Sequence, residues 1–197
     1  RRDGGGDTPV SGAWVFGYGS LASPASLART IGRTVTSDAE RVVAEVAGFG
    51  RRWNYGSMNL RGTWIHEDRE ITDGVVVSLG LVIADAESCN GVIVRVSADE
   101  LAQLDWRERD YERTDVTEQI RVETDGPRGR VMTYVPRPSA IERYEAARDA
   151  GRAGIRQSYW ELVAAAFHDL GGDHHERYTA TPAPDVPVVD MTLSMLT

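Results

Sequence analysis

The stretch WVFGYGSLASPASL, residues 14–27, constrains this chain more than any other. Trp14, Val15 and Phe16 read as the end of a buried strand, and Ser23-Pro24 reads as a helix start, with a capping serine and proline at the first helical position. Between them, Gly17 and Gly19 flank Tyr18, followed by Ser20 and Leu21. The chain must end a strand and enter a helix within a few residues. Glycines permit the sharp turn and let another group approach the main chain. A loop leading into a helix also presents free N–H groups, which attract a carboxylate or a developing oxyanion. Two readings stand side by side: a tight turn with no ligand, or a loop that holds one.

The remainder reads as strands punctuated by short helices. Residues 40–48 (ERVVAEVAG), 73–83 and 91–96 (GVIVRV) are β-rich. The intervening FGRRWNYGSMNLRGTWI is aromatic, basic and turn-rich, without helical period. SADELAQLDW opens with a capping box, Ser97 three residues before Glu100, and predicts a short helix ending near Trp106. Strands follow at 114–122 and 129–135, joined as a hairpin through DGPRG. Helices are expected at 139–150 and 155–169, the second with Ile155, Tyr159, Leu162, Val163, Ala166 and Phe167 on one face. This order predicts α+β rather than alternating βαβ. We expect a flexible leader at 1–12, a folded domain at 13–170, and an extended tail at 171–197 packed on or trailing it.

Composition narrows the function. The net charge of −8 argues against nucleic acid and anionic membranes as partners, since both are bound through basic surface. No apolar run is long enough to span a membrane. Cys89 is the single cysteine, so no internal disulfide forms, and a cytoplasmic location is the simplest reading. All 22 basic residues are arginine, which excludes Schiff-base lysines, a Walker-type lysine and a Ser-Lys dyad from this sequence. Coding bias accounts for that without appeal to function.

The run LDWRERDYERTD, residues 104–115, ordinarily marks a salt-bridged surface. Glu108, however, falls just past a helix C-terminus, where the negative end of the macrodipole raises a carboxyl pKa. Such a carboxyl suits a base that must later act as an acid. His168, His174, His175 and Glu176 fit no metal-binding spacing, so neither a metal nor any other cofactor is expected. Ser20 and Ser57 lack a nucleophile-elbow context, and Cys89 has no activating neighbour. Arg51, Arg52, Trp53 and Tyr55 either belong to an ordinary strand or line a pocket for an anionic substrate.

VFGYGSL followed by LDWRERDY, in that order and spacing, resembles the γ-glutamylcyclotransferase superfamily. RRWNYGS and the following RGT at 61–63 are similar to signatures of its ChaC-type branch, which acts on glutathione. The resemblance covers residues 13–135. Arg109 and Asp110 stand where the family commonly has glycine, and Tyr111 comes slightly early. The resemblance implies a small, mostly antiparallel or mixed β-barrel with flanking helices. It implies Glu108 as catalytic acid/base, with Tyr18, Gly19, Ser20, Leu21, Tyr111 and Arg52 binding the substrate. The reaction implied is cyclisation of a γ-glutamyl peptide or amine to 5-oxoproline, on a small-molecule substrate without cofactor. Two alternatives remain open: a cyclotransferase acting on γ-glutamyl amines or on γ-glutamylated biosynthetic intermediates, and a non-catalytic binding module of the same fold.

Overall fold

The computed structural model describes residues 12–123 and 129–196. The elements, in order, are β1 (Ala13–Gly17), α1 (Pro24–Ile31), β2 (Arg41–His66), β3 (Arg69–Val96), α2 (Ala98–Arg107), β4 (Tyr111–Asp115), β5 (Ile120–Arg121), β6 (Val131–Pro136), α3 (Pro138–Asp149), β7 (Ala153–Arg156), α4 (Gln157–Asp169), α5 (His174–Thr179), β8 (Val188–Val189) and β9 (Thr192–Met195). The fold is α+β, as expected.

One mixed sheet carries the order β4-β6-β1-β3-β2-β5, with β7 on β3, β8 on β7 and β9 on β2. β1 pairs antiparallel with β3 and parallel with β6. β4 and β5 lie at opposite ends of the main path, yet one 3-10 turn, Thr117–Gln119, joins them in sequence. The sheet therefore curls round to bring its ends together. This places the C-terminal end of β1 beside β3 and β6, where the glycine loop begins.

The helix starts follow their local chemistry. The Ser23 hydroxyl accepts from the Ser26 N–H at 3.3 Å, ahead of Pro24. Ser97 and Glu100 form the expected capping box, with bonds of 3.2 and 2.8 Å. Glu100 also accepts from Arg33 Nε at 2.5 Å, tying the end of α1 to the start of α2.

Several expectations need correction. The aromatic, basic stretch 49–65 is strand rather than turns: β2 runs continuously through it, paired with β3 and interrupted by bulges. Its composition hides the alternation because the bulges repeatedly switch which residues face inward. The strand expected at 114–122 is broken at Val116, where the chain leaves β6 and joins β2 as β5. The DGPRG turn lies outside the described residues except Gly129, as does residues 1–11 of the leader. α4 begins at Gln157, and Ile155 belongs to β7, buried between β3 and β8. The tail expected to be extended holds the helix α5 and two short strands, and its Tyr178 and Val186 join the same buried cluster as Phe16, Val92 and Phe167. None of the described helices is long and apolar enough to cross a membrane.

Candidate active site

β1 ends at Gly17 and the chain turns at once into a 3-10 turn, Ser20–Ala22, that leads to α1. Both glycines of the opening stretch answer to space. A Cβ at Gly17 would lie 2.9 Å from Leu21 backbone and side-chain carbon, so the turn closes only on glycine. Gly19 has φ −136°, and no left-handed conformation is involved; its Cβ would lie 3.3 Å from the Tyr159 hydroxyl and 3.5 Å from Leu79. The Gly19 carbonyl accepts from Ala22 N–H. The N–H groups of Gly19, Ser20 and Leu21 precede the first closed turn and have no partner among the described residues.

Beside this loop is a small pocket that opens to solvent. The segment Gly17–Leu21, Phe16, Leu79, Glu108, Tyr111, Tyr134 and Tyr159 line it. Glu108 is the C-cap of α2: its N–H closes on the Leu104 carbonyl at 2.8 Å, and its own carbonyl accepts from Tyr111 N–H at 2.8 Å. Leu104 is fully buried, so the helix end is anchored in the core. The Glu108 side chain is only 14% exposed. Burial raises its pKa, and the neighbouring Arg107 opposes that rise, with its Nε 2.9 Å from Glu108 Oε1.

Arg107 is the hub of this corner. It donates to Ser20 Oγ at 2.8 Å, to Thr30 Oγ1 at 2.8 Å and to the Ser26 carbonyl at 3.2 Å. It thereby joins the loop, α1 and the carboxyl. Among the tyrosines, Tyr18 donates to the Tyr134 carbonyl at 2.6 Å, Tyr134 to Asp105 at 2.9 Å, and Tyr111 to the Leu79 carbonyl at 3.1 Å. Burial holds Tyr18 and Tyr111 well above the usual phenol range, with the Glu108 charge adding to the effect. Tyr159 differs. Its oxygen accepts from Leu79 N–H at 3.5 Å, and the Ser78 hydroxyl is a second hydrogen-bonding neighbour. Burial is the main cause that pushes it up to about 12, so it is a donor at neutral pH.

The structure brings Tyr18, Gly19, Ser20, Leu21, Glu108 and Tyr111 together around this cavity. Arg52 is not among them. It pairs with Glu87 at 2.6 Å and lines a separate cleft. Its neighbour Arg51 is the buried member of the pair, and its Nε donates to the Tyr18 carbonyl at 2.9 Å from behind the loop. Tyr159 and Arg107 were not singled out from the sequence as site residues. Tyr159 falls on the apolar face of a helix and reads as core; Arg107 is one arginine in a charged run. Among the described residues no group of three His, Cys, Asp or Glu is placed to hold a metal. His174 packs instead against Asn90, with Nδ1 3.3 Å from Asn90 Nδ2.

The sequence matches the family described as ChaC-like protein over residues 13–153, most of the chain. The chain belongs to the ChaC-like family. Among solved structures it is similar to a γ-glutamyl cyclotransferase, with 14% identity, 89% of this chain and 90% of the other covered, and a TM-score of 0.55. It is also similar to a γ-glutamyl cyclotransferase specific to glutathione from yeast, with 16% identity, 88% and 90% covered, and a TM-score of 0.50. At these identities the likeness establishes the fold. An Arabidopsis thaliana protein shares 24% identity over 68% of this chain at a TM-score of 0.43, and this chain spans 64% of its length. Among curated proteins, none matches. Tyr159 on α4 lies beyond the segment that matches the ChaC-like family, so one residue lining this cavity comes from outside the match.

Proposed function

We propose that this ChaC-like protein is a γ-glutamylcyclotransferase, acting on a γ-glutamyl peptide, glutathione foremost, and releasing 5-oxoproline. The observation that carries the reading is Glu108: a largely buried carboxyl of raised pKa at a helix end, facing the same cavity as a loop of unpaired backbone donors.

The α-amine of the γ-glutamyl group attacks its own γ-carbonyl carbon. A new C–N bond closes the five-membered ring, the original amide C–N bond breaks, and the amine of the leaving peptide departs. Nucleophile and electrophile already share one molecule. The cavity has to fold that flexible chain until the reacting atoms are about 3–3.5 Å apart. Glu108, as carboxylate, takes one ammonium proton before attack and afterwards gives it to the leaving nitrogen; the second proton on the ring nitrogen passes to the released amine as the lactam forms. A raised pKa makes it the stronger base for the first step. Help of this kind contributes roughly 10²–10⁴-fold. The N–H groups of Gly19, Ser20 and Leu21 are donors for substrate carboxylate or for the oxygen that gains charge at the γ-carbon. The Tyr159 hydroxyl, close beside Gly19, offers a further proton.

The test is 5-oxoproline release from glutathione, γ-glutamyl dipeptides and γ-glutamyl amines, assayed in parallel. Release from the peptides supports the reading, and activity confined to the amines moves the substrate class. No release from any of them, with a non-cyclising γ-glutamyl analogue still bound, would leave a binding module.

A further inference from the structure

Arg51 is 5% exposed, yet among the described residues it has no acidic partner. Its contacts are neutral. It donates to the Tyr18 carbonyl at 2.9 Å, to the Asn90 carbonyl at 2.5 Å, to Asn90 Oδ1 at 3.1 Å and to Thr181 Oγ1 at 3.2 Å. Its guanidinium lies 4.6 Å from the Phe167 ring centre and 5.3 Å from that of Tyr178. A buried charge without an opposite charge is costly unless something supplies one.

The Thr181 side of Arg51 opens onto a cleft whose lining shares no residue with that of the γ-glutamyl cavity. Arg52 and Arg177 stand on its walls, 28% and 33% exposed. Three arginines thus face one lining carboxylate, Glu87, in a chain whose overall charge is negative. Glu87 already occupies Arg52 in a two-point contact, 2.6 and 3.0 Å, which shows the geometry in which this wall takes a carboxylate. Arg177 is paired with Glu45, which is outside the lining.

We propose that this cleft binds a small oxyanion, a carboxylate or phosphate group, between Arg51 and Arg177. The anion supplies the charge that Arg51 lacks. It also reaches the catalytic corner, because the guanidinium that would receive it holds the Tyr18 carbonyl from behind, and Tyr18 opens the loop of unpaired donors. Binding at the cleft does not depend on the γ-glutamyl reading; only its effect on turnover does.

The experiment is calorimetric titration of the whole chain with inorganic phosphate and, separately, acetate, each against chloride at matched ionic strength. Saturable binding of at least one is expected, with the two arms deciding between phosphate and carboxylate. Arg177→Ala weakens it about tenfold, the scale of one lost charge-assisted contact. Glu87→Gln tightens it, since it frees Arg52 and removes the competing charge; damage to the fold would not produce that gain. Glu108→Gln leaves it unchanged. A non-cyclising γ-glutamyl analogue at saturation does not displace the anion. No saturable binding of either anion overturns the proposal. So does binding that ignores both Arg177→Ala and Glu87→Gln, or that the analogue displaces one for one, which would put the anion in the γ-glutamyl cavity.

Discussion

Glu108→Gln separates chemistry from folding at this site. The amide keeps the shape of the side chain at the C-cap of α2 but cannot accept the ammonium proton. The rate of 5-oxoproline release should fall by roughly 10²–10⁴-fold, about 2.7–5.4 kcal/mol of barrier at 1.36 kcal/mol per decade. Affinity for a non-cyclising γ-glutamyl analogue should change little. Stability should move the other way. Burial raises the folded-state pKa of Glu108 above that of the unfolded chain. The stabilising form is then the protonated one. Its contribution is full below the unfolded carboxyl pKa and is lost as pH rises through the folded value. At neutral pH the wild type holds a desolvated carboxylate that glutamine does not have.

The Gln variant should therefore unfold at higher temperature than wild type at pH 7, and the gap should close as pH falls below the ordinary carboxyl range. Arg107 does not reverse the sign, because it keeps its bonds to Ser20, Ser26 and Thr30 when the charge on Glu108 is gone. Calorimetric scans from about pH 3 to 8, with rates measured on the same samples, check both halves. The rate profile should rise with pH through an apparent pKa above the ordinary carboxyl range. A variant keeping more than about a tenth of wild-type turnover would remove Glu108 from the proton-transfer role. A variant less stable than wild type at pH 7 would refute the desolvation argument.

Gly19→Val should lower affinity for the analogue at least about tenfold, since its branched side chain begins 3.3 Å from the Tyr159 hydroxyl. Ser20→Ala should be milder, because it removes an acceptor of Arg107 and leaves the loop N–H groups in place; titration of both variants checks the order. Tyr159→Phe should reduce turnover by about 10–10³-fold with little change in melting temperature, if its hydroxyl proton meets the developing oxyanion; a loss confined to KM would assign it to ground-state binding. EDTA should leave activity unchanged, and loss restored by one added divalent ion would revive the His174/His175 pair as ligands.

What the sequence made legible follows the range of the forces involved. The caps at Ser23 and Ser97 are contacts over three residues, and short-range chemistry sets them almost alone. Glu108 was legible for the same reason: α2's start, length and buried Leu104 place residue 108 at a helix end wherever the helix sits. The tail was not legible, because α5 packs through Tyr178 on Phe167, ring centres 4.9 Å apart, a contact no local pattern announces.

The choice between Arg51 and Arg52 depended on longer-range structure still. Neighbours on a strand point to opposite faces, so one of the two had to turn inward, but a single inserted residue reverses which. Such an insertion sits just upstream. Gly48, at φ 78°, drops out of the ladder between the Ala47↔Ser88 and Phe49↔Ile83 pairs. On the facing strand residues 84–87 leave the register together, bringing Glu87 within reach of Arg52. The register shifts again between Arg52 and Tyr55. Arg51 is thereby buried against Asn90 and the Tyr18 carbonyl, while Arg52 stays at the surface of the cleft with its carboxylate. The glycine loop is held from inside the sheet by an arginine whose direction is set by a bulge on its own strand and a larger one on its partner.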